Sequence, residues 1–331
     1  MSTSSFGIKK PLHEQIKPKS RAKQLLDTRY SSNWMLFEHN GFKLPGTEEP
    51  REKCGHWSWK GCLNVEAHTK NPGKVFVKHY QWSCYRACCK VCIEKWLARE
   101  ANSATYRLVK GIERDGGKVV HVVASPPNWL HGKSIQELRT QTYKILRTVG
   151  IESGACVFHP ARYNEKNNCW YYSPHFHILG RGWIEKTKDL YNKEGWIVKG
   201  LGVRNTDGEI FATMHYELTH AGIRKKTNAV TWFGKFSYVK LKIPKQDVDD
   251  KTCPDCGRKL VDIELIDDVW GLDRPPPDGV FEGFVVCKRF KTVNVFHKTN
   301  PRGKFDYNNR QGIGSIAVKE PCILAKKGMD V

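Results

Sequence analysis

Residues 118–127, KVVHVVASPP, form a β-branched, apolar run closed by two prolines, which predicts a strand. SIQELRTQTYKILRTVG follows. Ile135, Leu138, Thr142, Ile145, Leu146 and Val149 recur at helical spacing, Ser134 and Glu137 match a capping box, and Gly150 ends the run. GACVFHP (154–160) and CWYYSPHFHILG (169–180) read as strands joined by the polar turn ARYNEKNN, and so as a hairpin. EGWIVKGLGV (194–203) predicts one further strand. GEIFATMHYELTHAGI (208–223) predicts a helix stopped by Gly222. AVTWFGKFSYVKL (229–241) predicts a last strand, bent at Gly234.

This order is β-α-β-β-α-β with one strand inserted before the second helix. It predicts an α+β, ferredoxin-like (RRM-like) antiparallel sheet with its helices on one face. The arrangement serves many functions and names none. Around this core, at residues 101–245, the chain divides into a basic and poorly ordered extension (1–50), a Cys/His module (51–100) and a C-terminal zinc-ribbon-like region (246–331). RPPPDG (274–279) marks a rigid turn in the last of these.

Composition narrows the function. The chain has 331 residues, 39% of them hydrophobic, enough for a buried core. It lacks an apolar run of about 20 residues, so no membrane span is expected. Its first residues, MSTSSFGIKKPLHEQIKPKSRAKQ, lack an apolar signal segment, and a cytoplasmic protein is the expectation. A formal charge of +21 favours a polyanionic partner, chiefly nucleic acid, over a surface that is merely well solvated.

Twelve cysteines are too few for a disulfide scaffold, but they cluster. Cys89-x-x-Cys92 has the spacing with which two thiolates grip one Zn²⁺, with Cys54 and Cys62 as distal partners and Cys84, Cys88, His56 and His68 in reserve. Cys253 and Cys256, in CPDCG, form half of a zinc ribbon. Its other half is sought among Cys287, His297 and Cys322. Cys156 and Cys169 sit in strand-like runs and read as core.

His175 and His177 flank Phe176 in a strand, so both imidazoles project from one face and can share a divalent metal. A hydrogen-bonded histidine pair on a sheet surface is the alternative. Tyr216 and His220 lie one helical turn apart, and a helix packed on the histidine face would bring them to the metal. A tyrosine that only anchors the helix is the alternative there.

HVVASPP, SPHFHILG and MHYELTHAG resemble, in that order, the three motifs of rolling-circle replication initiators of the HUH endonuclease superfamily. The run VFHPAR…SPHFHILGRG…YELTHAG…AVTWFGK is most similar to replication proteins of archaeal plasmids and small viruses, and the resemblance spans roughly residues 84–245. It implies Mg²⁺ or Mn²⁺ held by His175 and His177. It implies that Tyr216 cleaves single-stranded origin DNA in a prokaryotic host cell, stays joined to the 5′ phosphate and leaves a 3′-OH primer. Where many initiators carry a second tyrosine or a lysine, this chain has Thr219 and His220. His220 is then a candidate third ligand or phosphate contact, and His121 a weaker one. His159, near the hairpin turn, reads as structural and too distant. Arg224, Lys225 and Lys226 are expected phosphate contacts. No G-x-x-x-x-G-K-[ST] occurs, so a nucleotide cofactor is not expected, and strand separation and synthesis fall to a host helicase and DNA polymerase. A transposase or relaxase of the same chemistry, or a non-catalytic nucleic-acid-binding zinc protein, are the rivals.

Overall fold

A computed structural model describes residues 33–244, 251–265, 282–286 and 290–292. In chain order, strands β1 (Glu38–His39), β2 (Phe42–Lys43), β3 (Trp57–Cys62) and β4 (Lys74–Gln81) precede helix α1 (Ile93–Asp115). Then come β5 (Val119–Ser125), α2 (Ile135–Thr148), β6 (Ile151–Asn164), β7 (Cys169–Gly182), α3 (Thr187–Glu194), β8 (Ile197–Arg204), α4 (Asp207–Leu218) and β9 (Val230–Phe233). β10 (Val261–Leu265), β11 (Glu282–Val286) and β12 (Phe290–Thr292) follow.

The chain divides into two units, and the boundaries depart from those expected. The first comprises residues 1–51 and 84–245, the second 52–83 and 246–331. Residues 84–100 therefore join the core, because α1 is continuous to Asp115 and buries Leu97 and Leu108 together.

In the first unit one sheet runs β8-β5-β7-β6-β9, and every neighbouring pair is antiparallel. The inserted strand, β8, takes the edge beside β5. Side chains alternate across the sheet. Phe176 and Ile178 join Val122, Cys156 and Phe158 under Leu138 and Leu146 of α2 and Leu190 of α3. Ala155, Val157 and Leu179 face the other way, under α1 and under Met214 and Leu218 of α4. Helices thus cover both faces, not one. The sequence of β5, VVHVVAS, is apolar on both sides, and each side needs a cover.

Two expected elements are shorter than their patterns. α4 stops at Leu218 instead of running to 223. Thr219 Oγ1 donates to the Tyr216 carbonyl, and the Gly222 N–H returns to the Phe158 carbonyl at 2.8 Å. A Cβ on Gly222 would stand 3.0 Å from side-chain atoms of both Phe158 and Pro160, so a larger residue would have to push these neighbours aside. The last strand ends at Phe233. Gly234, at φ +63°, turns the chain, and Arg107 of α1 then binds the carbonyls of Phe236, Ser237 and Leu241 at 2.8, 2.9 and 2.7 Å. The capping box of α2 forms as expected from Ser134 and Glu137.

Residues 33–50 were expected to be loose, yet Trp34, Phe37, Phe42 and Leu44 are buried. Residues 1–32 and 274–279, with Cys287, His297 and Cys322, lie outside the described residues. In the second unit a sheet runs β11-β4-β3-β10-β12, so its two chain segments form one fold. Among the described residues no helix is long and apolar enough to cross a membrane.

Phe176→Ala empties a fully buried site on the middle strand. It should cost about 3–5 kcal/mol in urea unfolding. A loss under about 1 kcal/mol would mean the two-sided core is not as described.

Candidate metal centres

The histidine face lies between the sheet and α4. The register of β6 on β7 sets His159 directly opposite His175 and Val157 opposite His177. Ring centroids are 5.1 Å apart for His159–His175, 4.3 Å for His159–His177 and 5.3 Å for His175–His177. One ligand atom from each of the three lies within 4.8 Å of the others, and all three are buried. The expectation that His159 is too distant is therefore corrected. The paired strands run 14 residues each, and a register shift between His159 and Ala161 brings this histidine level with His175.

The protons on these rings follow from partners that can only donate or only accept. His159 Nε2 faces the Glu217 backbone carbonyl at 2.8 Å, so it carries the proton, and its buried Nδ1 is a bare lone pair with no hydrogen-bond partner. His175 Nδ1 donates to the Ser173 carbonyl at 2.8 Å, which leaves Nε2 bare. Arg204 donates to His121 Nδ1 at 3.0 Å, so the His121 proton is on Nε2. That nitrogen is 3.0 Å from His177 Nδ1 and 3.0 Å from Glu217 Oε1, the latter at ion-pair distance without hydrogen-bond alignment. His121 Nε2–H donates to His177 Nδ1, and Glu217 Oε1 stands 4.0 Å from the same nitrogen; His177 presents a bare Nε2 once its own proton sits on Nδ1, toward that carboxylate, and the His121 proton has turned to Glu217.

This settles a choice. His121, His177 and Glu217 also converge within 4.8 Å. With Nδ1 already accepting from Arg204, neutral His121 has no bare nitrogen to offer. It and Glu217 orient His177 from behind, in the way outer carboxylates fix ligating imidazoles.

Burial first, then the neighbouring imidazoles, push His159 and His177 well below the usual histidine range. Burial, then the Arg162 guanidinium, bring His175 down to about 3. All three are neutral at pH 7, as a ligand must be. Three neutral imidazoles suit a divalent transition ion and leave coordination positions open.

Tyr216 is half-buried on α4, one residue before Glu217. Its ring meets His220 at 5.3 Å, and His220 meets His159 at 4.0 Å but stands 6.1 Å from His177. The three basic residues that follow separate. Arg224 lies over the Phe42 ring at 4.4 Å, while Lys225 and Lys226 are exposed.

The cysteines regroup. Cys62, His68, Cys253 and Cys256, all of the second unit, form one tetrad. His68 Nε2 is 3.3 Å from both Cys62 Sγ and Cys253 Sγ, and Cys62 Sγ is 3.5 Å from Cys256 Sγ. A tetrahedral Zn²⁺ with bonds of about 2.0–2.3 Å requires edges of this order. His68 Nδ1 donates to the Lys74 carbonyl at 2.7 Å, which leaves Nε2 for the metal. Asp255 accepts the backbone N–H groups of Thr69, Lys70 and Asn71 and so ties the knuckle to the loop after His68. Burial pushes the Cys62 thiol up to about 12. Burial also opposes ionisation of Cys256, but the Arg258 backbone N–H and the other three side chains bring it to about 7. Two expectations are corrected. Cys62 does not join Cys89 and Cys92, and the partners of Cys253 and Cys256 lie upstream, brought there by the pairing of β3 with β10. In the first unit Cys84, from the reserve, joins Cys89 and Cys92 within 4.8 Å, and its backbone N–H donates to Cys92 Sγ at 3.3 Å. Cys54 belongs to the opening segment of the second unit. Cys156 is buried in the core as expected.

Three outcomes follow. Cys256→Ser should remove zinc from the purified protein in atomic-absorption analysis; unchanged zinc would exclude the tetrad. Glu217→Gln should weaken Mn²⁺ or Co²⁺ binding to the histidines about 10–100-fold by calorimetry. The pH dependence has a definite sign. The folded state refuses protons that the unfolded histidines accept below 6.5, so metal-free protein loses stability as pH falls from 6.5 toward about 3. The slope is up to about 1.4 kcal/mol per pH unit for each histidine. Urea unfolding at pH 7.5 and 5.5 with equal midpoints would show that the buried imidazoles titrate freely.

No protein-family model, curated protein or solved structure matches this chain.

Proposed function

We propose that this protein is a metal-dependent endonuclease that nicks and rejoins single-stranded DNA through a phosphotyrosine, and that it initiates rolling-circle replication in a prokaryotic host cell. The observation that carries this reading is the run of contacts Tyr216–His220–His159, which links one tyrosine to a buried three-histidine centre on the same sheet face. The strand order supports a ferredoxin-like core. With β5, β6, β7 and β8 numbered one to four, it reads 4-1-3-2, the order of that fold, extended by β9.

His159, His175 and His177 would hold the ion, supported by His121 and Glu217. When bound, the metal neutralises charge that develops on the scissile phosphate. An all-imidazole donor set suits Mn²⁺ or a later transition ion better than Mg²⁺, which prefers oxygen. The Tyr216 oxygen attacks phosphorus as the phenol gives up its proton. The P–O3′ bond breaks, the departing 3′ oxygen takes a proton, and the 5′ phosphate remains on tyrosine. Reversal by a free 3′-OH reseals the strand without a nucleotide cofactor. The 3′-OH primes synthesis by a host polymerase, with a host helicase separating the strands. The exposed Lys225 and Lys226 and the net charge of +21 supply phosphate contacts.

The test mixes full-length protein with a labelled pool of random-sequence single-stranded DNA and Mn²⁺, followed by denaturing electrophoresis and sequencing of the adducts. Unmodified protein should form a covalent adduct on a recurring sequence. Tyr216→Phe, which removes the attacking oxygen and little volume, should abolish it, as should His175→Ala and His177→Ala. Binding of the pool without adduct or nick would favour a non-catalytic nucleic-acid-binding protein. An adduct in Tyr216→Phe would place the nucleophile elsewhere.

A further inference from the structure

We infer that Arg162 is a catalytic residue that grips the scissile phosphodiester from above the histidine centre; this rests on the nuclease reading and names a group that reading does not use. The placement is geometric. Arg162 lies on β6 and donates to Ser125 Oγ on β5 at 2.8 Å. β7 runs between those two strands. Ser125 follows Ala124, which pairs with Phe176, so it stands level with His175. Alternation puts Ser125 on the same face as His121, which is the histidine face. A side chain that spans from β6 to β5 at this level must therefore cross β7 over His175. The guanidinium forms a lid on the outer side of the three imidazoles.

Its chemistry fits an anion of forked geometry. The histidines beneath are buried, whereas Arg162 is exposed. Among the described residues its only hydrogen bond is the one to Ser125, and it makes no ion pair. One Nη thus anchors the group, and the remaining N–H donors stay available to the solvent side. A guanidinium offers paired donors that match two oxygens of a phosphate and keeps its charge at every working pH. A phosphate held at the histidine centre would lie within reach of this group. The attacking Tyr216 oxygen arrives from the α4 side of the same centre. Arg162 then contacts a non-bridging oxygen while the Tyr216–phosphorus bond forms and the P–O3′ bond breaks. It transfers no proton.

Lys199 provides the control. It pairs with Val123, which pairs with His177, so it is an exposed cation of the same face two strands away from the histidines. Its removal lowers the charge by the same amount without removing the lid.

The experiment uses the sequence recovered from the random single-stranded pool. With saturating DNA and Mn²⁺, Arg162→Ala should lower the nicking rate by about a hundredfold or more, Arg162→Lys should recover part of it, and Lys199→Ala should shift affinity with little change in rate. Mn²⁺ affinity of Arg162→Ala, measured by calorimetry without DNA, should not be weakened. Sulfur placed on one non-bridging oxygen of the scissile phosphate should slow unmodified protein in one diastereomer, and that selectivity should vanish in Arg162→Ala. Nicking by Arg162→Ala within about threefold of normal, retained sulfur selectivity, or lost metal affinity would each overturn the assignment and leave the nuclease reading standing. Absence of any nick by unmodified protein overturns that reading, and this assignment with it.

Discussion

Four imidazoles and one carboxylate are sealed between a sheet and a helix, and the structure around them decides where their protons sit. A buried carboxylate without a partner, or a buried bare imidazole nitrogen, carries a cost of about 1–3 kcal/mol. Here these groups meet one another. Arg204 fixes His121, His121 presents its proton to Glu217 and His177, and two backbone carbonyls fix His159 and His175. The outcome is a bare nitrogen on His159 and on His175 beside His177, with ligand atoms of the three within 4.8 Å of one another. Such a cluster is poorly satisfied when empty and well satisfied by a cation, so the energetic need and the chemical capacity coincide.

The fold supplies the positions. β7 lies between β5 and β6, so its histidines can be reached from both sides. His159 comes from one neighbour, and His121 and Ser125 from the other. α4 closes the site from the front and brings Glu217 through its side chain and backbone, His220 just past its end, and Tyr216 beside them. That places Tyr216 and Glu217 on one rigid element, where a shift of the helix would move both together. Phe176, on the opposite side of β7, anchors the strand in the α2 layer and so holds the histidine pair in register.

Much of this was legible in the residues, for identifiable reasons. The period of two in PHFHILG fixes the common face of His175 and His177, and the Ser134–Glu137 box fixes the start of α2. His159 was not legible, because its partner depends on hairpin register, and the eight-residue connection ARYNEKNN permits several registers. Glu217 was missed, and His121 ranked only as a weaker candidate, for a related reason. A histidine in VVHVVAS and a glutamate in HYELTH look like surface residues until both faces of the sheet are found to be covered. The zinc tetrad spans Cys62 to Cys256, and only the pairing of β3 with β10 joins its halves. The spacing of CPDC declares a half-site but carries no information on a partner so far away. A positive signal was available at His68, one of the reserve candidates. The sixth residue after Cys62 is within loop reach of the same ion.

The two metal centres differ in a way that separates their roles. The Cys62, His68, Cys253 and Cys256 set has four protein donors, and a tetrahedral ion bound there has no position left for substrate. Asp255 and the Lys74 carbonyl hold its loop and its ring in place. It joins two distant chain segments, so its contribution is to folding. The His159, His175 and His177 set has three donors, all neutral, and keeps positions free. An ion there retains its full positive charge, because no carboxylate or thiolate among its ligands cancels it. A full dication with open positions is a poor place for a structural cross-link and a strong one for an anionic ligand. The charge that thiolates quench in one unit is left unquenched in the other, and this difference in donor type, more than the fold, is what argues for chemistry at the histidines.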